Sequence, residues 1–241
     1  PNPTPTIRAV ALPAAGGVGG KARALIELTR AGYPVPPGLV LTTAFFAPWL
    51  AQLRAAPEWD LVHAQSGEEL ERAAARLGEI CQGLAFTSGQ KEALDRALRD
   101  FRRDHPGDLF AVRSSAPEED LEGASFAGGY ESRLGVPLAD VAAAVRACFT
   151  SAFDPRVFAY KRERGLANAE TRMAVIVQQQ IAADCAGVAF SLNPLNNCYD
   201  EALINANFGL GESVVAGQAD PDTIVVDRVG RRILETRVGA K

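Results

Sequence analysis

Histidine is scarce in this sequence: His63 and His105 are the only two among 241 residues. A Ser-His-Asp triad has little choice of base here, and a His-rich zinc site has too few ligands. Cysteine is nearly as sparse. Cys81, Cys148, Cys185 and Cys198 stand far apart, with no CxxC spacing, so a dense disulfide framework is excluded and four buried thiols are expected. No run approaches the roughly 18 uninterrupted apolar residues of a membrane helix. Pro1 to Arg8 also lacks the charged-then-apolar build of a secretory signal, which makes a cytoplasmic location the default expectation. Neither sign of charge dominates: 25 Lys plus Arg face 29 Asp plus Glu, for a net charge of −4. That balance gives no footprint for nucleic acid or an anionic membrane. What is present, 47% hydrophobic and 22% charged residues, suits a folded chain with room for one large domain or two lobes. The chain opens at Pro1 without a methionine and stops at Lys241 soon after a strand-like run, as expected of an excised piece.

A glycine-rich stretch, residues 16–20, opens a helical pattern from Lys21 to Ala31, and Gly32 supplies a left-handed stop. The prolines of Tyr33-Pro34-Val35-Pro36-Pro37-Gly38 forbid helix and push their predecessors to extended geometry, so Leu39 to Leu41 is expected as a strand. Thr42 or Thr43 then caps a helix through Leu53. Between Asp60 and Asp104 two amphipathic patterns each begin with a capping box, Ser66-x-x-Glu69 and Thr87-x-x-Gln90. Leu109 to Val112 is a short strand-type run that delivers Arg113-Ser114-Ser115 into a loop rich in glycine and acid. Helix returns over Leu138 to Thr150, and Asp154-Pro155 caps another that runs to about Arg164. Strands then take over: Met173 to Val177, Gly187 to Leu192, Ala202 to Ala206, Thr223 to Val226 and Arg232 to Thr236. Helices early and strands late predict an α+β architecture in two parts, residues 1–168 and 169–241.

Several nucleotide motifs nearly match. Gly20-Lys21 resembles the end of a P-loop, but Ala15 replaces the required glycine and Ala22 replaces the magnesium-binding hydroxyl. Gly17-x-Gly19 and Gly209-x-Gly211 begin like dinucleotide fingerprints, yet Ala22 and Val214 stand at the third positions. What remains is a set of anion-suited loops. Gly19 and Gly20 at a helix start offer backbone amides and a positive dipole end, with Lys21 adding an ammonium; the alternative is a glycine-rich lead-in with a solvated lysine. Arg113 at a strand exit can offer a bidentate fork to a phosphoryl group, or pair with Glu118, Glu119 or Asp120. Ser114, Ser115 and the stretch from Gly123 to Gly129 add donors. Gln178-Gln179-Gln180 can meet a base edge or merely close a strand, and Glu212 can bind a metal or a ribose hydroxyl or cap a helix. The basic cluster Arg96, Arg99, Arg102 and Arg103, interleaved with acids, reads as a solvated helix face.

Six collinear motifs now carry a resemblance: Val18-Gly19-Gly20-Lys21-Ala22, Val35-Pro36-Pro37-Gly38, Ala111-Val112-Arg113-Ser114-Ser115, Glu119-Asp120, Ala124-Ser125-Phe126-Ala127-Gly128 and Asn207-Phe208-Gly209-Leu210-Gly211-Glu212. Together they resemble the ATP-binding domain of the phosphoenolpyruvate synthase and pyruvate phosphate dikinase family, which rifampicin phosphotransferases share. The resemblance implies an ATP-grasp fold whose helix-rich first lobe and strand-rich second lobe clamp Mg2+-ATP. By position it implies that Lys21 contacts the phosphates and Arg113 orients the transferred phosphoryl group. Gly19, Gly20 and Ser114 would support them, Ser125, Gly128 and Gly129 would cover the phosphates, and Gln178, Gln180 and Ile181 would form the adenine hinge, with Glu212 also on the nucleotide. This sequence departs from the pattern at the hinge, where glutamine replaces a common methionine, and at Gly129 and Ser132, where relatives often carry glutamine and threonine.

The implied activity is that of an ATP-dependent phosphotransferase working as part of a longer protein. In such a relay the phosphoryl group goes first to a histidine on a separate domain and then to an acceptor, pyruvate or a rifampicin-like hydroxyl. Neither His63 nor His105 lies in a matching motif, so the histidine and acceptor domains are expected as partners in the parent protein, and full turnover is not expected of this chain alone. Competing readings are a non-catalytic nucleotide-binding or sensor module with the same fold, and an ATP-grasp carboxylate-amine ligase.

Overall fold

The computed structural model describes residues 17–105, 107, 109–117, 129–166 and 171–240, with the backbone of residues 7–10. The chain divides into two compact units, residues 1–180 and 181–241. The first unit runs β1 (Ile7–Val10), α1 (Gly19–Arg30), β2 (Gly38–Leu41), α2 (Ala47–Arg54), α3 (Pro57–Ala64), α4 (Gly67–Gly83), α5 (Ser88–Asp104), β3 (Leu109–Ser115), β4 (Ser132–Pro137), α6 (Val141–Thr150), α7 (Pro155–Glu163) and β5 (Ala174–Gln179). Its sheet has the order β1-β2-β5-β3-β4, with β1 parallel to β2 and the remaining pairs antiparallel. Leu39, Leu41, Phe110, Val112, Val175 and Val177 present one face of that sheet to a large core. The helices answer with Phe45, Phe46, Trp49, Leu77 and Phe149, and the Phe46 and Phe149 rings stack at 4.9 Å.

The second unit is a four-stranded antiparallel sheet in sequence order: β6 (Cys185–Phe190), β7 (Glu201–Phe208), β8 (Asp222–Asp227) and β9 (Arg232–Arg237), with the short α8 (Glu212–Val215) between β7 and β8. The class is α+β, as expected, and all five late strands form. The boundary differs from the expected 168/169. β5 carries five consecutive buried residues, the mark of a strand covered on both faces, and it pairs with β2 and β3 rather than with the strands that follow it.

Local signals are realised unevenly. At α5 the Thr87 hydroxyl accepts from the Gln90 amide and the Gln90 side chain accepts from the Thr87 amide, a complete capping box. At α4 Ser66 makes no capping hydrogen bond with its side chain. The expectation of four buried thiols is corrected: Cys81 and Cys148 are buried, but Cys185 is exposed and Cys198 only half-buried, because the second unit has little interior. No helix among the described residues is long and apolar enough to cross a membrane.

Candidate functional site

The α1–β3 junction is where the candidate cations meet. β5 pairs Ile176 with Val40 on one side and Arg113 on the other, so these three side chains share a sheet face. α1 lies on this face, where Ala22 packs with Val40, Ala174 and Ile176. Arg113 stands half-buried, and among the described residues its guanidinium makes no hydrogen bond or ion pair. Lys21 reaches the same strand end, with Nζ 3.4 Å from the Ser114 carbonyl oxygen. Two side chains remote in sequence are thus brought to one strand exit by packing.

The glycines make that approach possible. Gly19 has φ +71°, and a Cβ there would stand 2.2 Å from the Ser115 carbonyl oxygen. Gly20 is also buried, and its amide donates to the Ala116 carbonyl at 3.5 Å. Glycine is needed at position 19 for close contact with β3, and part of the helix start faces the strand rather than a ligand. Ser114 alternates to the core face: its hydroxyl is buried with no hydrogen-bond partner among the described residues, and its carbonyl is what meets Lys21. Behind it the Cys148 thiol is pushed up to about 12 by burial.

The remaining predicted residues are placed as follows. Gln178 is buried, and its side-chain amide donates to the Pro36 carbonyl at 3.0 Å. A Cβ on Gly38 would lie 2.9 Å from Gln178, so Val35-Pro36-Pro37-Gly38 is the seat for that side chain. The Gln180 side-chain oxygen accepts from the Gly135 amide, and the Gln180 backbone N–H donates to the Leu109 carbonyl at 3.0 Å. Ile181 begins the second unit and is 52% exposed, which leaves it open to an apolar ligand. Gly129 is an exposed turn residue, whereas Ser125 and Gly128 lie outside the described residues. Glu212 is exposed in the first turn of α8.

The histidines are both engaged with α-helical neighbours: His63 Nδ1 lies 2.7 Å from the Trp59 carbonyl, and His105 packs on Phe101 at 5.0 Å. Arg96, Arg99, Arg102 and Arg103 are exposed along α5, with Arg103 bridging Asp100 and Asp104. Among the described residues no three His, Cys, Asp or Glu side chains converge to hold a metal ion. Those residues alone therefore form no cage for the implied Mg2+. Ser115 is the residue whose part sequence reasoning missed: expected as one more phosphate donor, it has its hydroxyl committed to α1.

A mixed five-stranded sheet with helices, followed by a separate antiparallel sheet, is an α+β build of ATP-grasp type. The chain matches the family described as pyruvate phosphate dikinase, AMP/ATP-binding domain, over residues 15–241, and it belongs to that family. An uncharacterized phosphotransferase of Bacillus subtilis, YvkC, is 36% identical over 224 residues, covering 92% of this chain and 25% of the relative. A probable phosphoenolpyruvate synthase of Methanothermobacter thermautotrophicus is 35% identical over 233 residues, covering 94% of this chain and 34% of the relative. The phosphoenolpyruvate synthase of Aeropyrum pernix is 33% identical over 238 residues, covering 93% and 28%. The chain therefore spans between a quarter and about a third of these relatives' length.

Proposed function

We propose that this chain binds ATP as the nucleotide domain of a longer phosphotransferase, which passes a phosphoryl group from ATP through a histidine domain to an acceptor such as pyruvate or a rifampicin-like hydroxyl. The observation that carries the reading is the α1–β3 junction, where an arginine without a described partner and a lysine converge on one strand exit. Arg113 would present its planar fork to the transferred phosphoryl group, and Lys21 would place a point charge on the neighbouring phosphates. Phosphoryl transfer asks a protein mainly for positioning and charge neutralisation, which two cations and loop amides supply. Family membership and the phosphotransferase and synthase relatives support the same reading.

The other roles are narrower. The loop containing Ser125, Gly128 and Gly129 would cover the phosphates, with Gly19, Gly20 and Ser114 shaping the floor beneath Lys21. With the Gln178 and Gln180 side chains held by Pro36 and Gly135, the adenine hinge would use the main chain at Gln180 and Ile181 and the apolar side chain of Ile181. Glu212 would accept a ribose hydroxyl. Mg2+ would arrive on the nucleotide's own phosphates. Calorimetric titration with ATP and Mg2+ tests the assignment. Lys21→Ala and Arg113→Ala should each weaken binding by roughly ten- to a hundredfold, as expected for a lost charge-assisted hydrogen bond, while circular dichroism stays unchanged. Unchanged affinity in both variants, or no binding by the wild-type chain, rejects it.

A further inference from the structure

Ser115 is fully buried, and its hydroxyl makes two hydrogen bonds to α1. It accepts from the Ala22 amide at 3.1 Å and donates to the Val18 carbonyl at 2.9 Å, across 93 and 97 residues of sequence. In an α-helix these are the two groups that close the first turn. The serine is therefore bolted across that turn, which has Val18 at its N-cap and no capping side chain of its own. Lys21 sits inside the bolted turn. Arg113 stands two residues before Ser115, on the same face of β3.

The other described contacts of the junction are longer. The Lys21 ammonium touches the Ser114 carbonyl at 3.4 Å, at the end of a flexible four-carbon stem. Gly19 and Gly20 bring backbones together but hold no side chain in place. Of the described hydrogen bonds between this turn and the end of β3, the two made by the serine hydroxyl, at 3.1 and 2.9 Å, are the shortest.

We propose that Ser115 is a positioning residue for the nucleotide polyphosphate, holding Lys21 at a set distance from Arg113 so that both cations engage one chain of phosphates. It touches no nucleotide itself. The inference rests on the reading of Lys21 and Arg113 as phosphate ligands. A serine that served stability alone would, when removed, affect every nucleotide alike. A positioning serine acts on the phosphates that distinguish ATP from AMP.

The test compares ATP and AMP affinity for this 241-residue chain, the Ser115→Ala variant, Lys21→Ala and the double variant. The expected result is a roughly three- to tenfold loss of ATP affinity in Ser115→Ala with AMP affinity unchanged. Lys21→Ala should then remove less ATP affinity from Ser115→Ala than from the wild type, because a displaced lysine has less to lose. Equal losses for ATP and AMP, additive losses in the double variant, or no loss at all overturn the proposal. Should Ser115→Ala fail to fold, Ser115→Cys, of similar volume and with a weak donor, carries the same comparison. If Lys21→Ala leaves ATP binding intact, the phosphate site itself is misplaced and the proposal falls with it; if only Ser115→Ala is silent, the site stands and Ser115 is structural.

Discussion

The two units bury their sheets differently. In the first, one face of the sheet meets α1 through Ala22, Val40, Ala174 and Ile176, and the other meets an aromatic-rich core around Phe46, Trp49 and Phe149. In the second, among the described residues, only Asn193, Leu203, Val225 and Gly239 are buried, and all six residues of β9 are exposed. The first unit is thus held by packed side chains, and the second largely by the main-chain ladder of an antiparallel meander. The contrast suits the proposed placement of Lys21 and Arg113 in the first unit, since a cation is positioned best where the backbone that carries it is packed.

Thiol chemistry offers the widest separation between the units. Cys81 and Cys148 lie in the first, where burial pushes both thiols up, Cys148 to about 12. At pH 8 these two should stay protonated and shielded, while Cys185 reacts readily and Cys198 more slowly. Titration with a chromogenic disulfide should count two thiols before denaturation and four after it. Fast reaction of all four in the native protein would show that the first unit opens as freely as the second.

Core truncation sharpens the same contrast. Phe46→Ala should cost about 3–5 kcal/mol, whereas Leu203→Ala in the thinner second unit should fall near 2 kcal/mol, the low end for large-to-small changes. Urea unfolding followed by tryptophan fluorescence reports the first value directly, since Trp49 and Trp59 both lie in the first unit. The smallest effects belong to the helix caps. Thr87→Ala removes a complete capping box and should cost about 1 kcal/mol; Ser66→Ala, where the side chain makes no cap bond, should shift stability by only a few tenths. Equal losses at the two positions would mean that the Ser66 box forms in solution.

Much of this organisation was legible in the sequence, though not evenly. Prolines and capping residues are local signals, so α1, β2, α5 and α7 fall where punctuation and periodicity place them. β4 escaped because Gly135, at φ +65°, interrupts its alternation at a register shift opposite β3. The boundary was misplaced because a strand's partners are not written in its own residues; the unbroken apolar run of β5 nevertheless announced a central position. At the candidate site, the meeting of Lys21 with the end of β3 depends on how α1 folds back, which spacing alone does not show. Ser115 was misjudged for the same reason, since its hydroxyl finds partners 93 and 97 residues away.

The position of β5 also matters while the chain is being made. Its neighbours are residues 38–41 and 109–115, both synthesised first, and in the finished sheet they flank it without pairing to each other. Between the emergence of Ser115 and that of Gln179, a ribosome working at ordinary speed leaves an interval of roughly 3–13 s. Throughout it, two apolar strand edges wait with a gap one strand wide, open to any wandering segment. The cellular yield of this chain should therefore depend on translation speed and chaperone supply over residues 116–179, a stretch that carries none of the proposed cations.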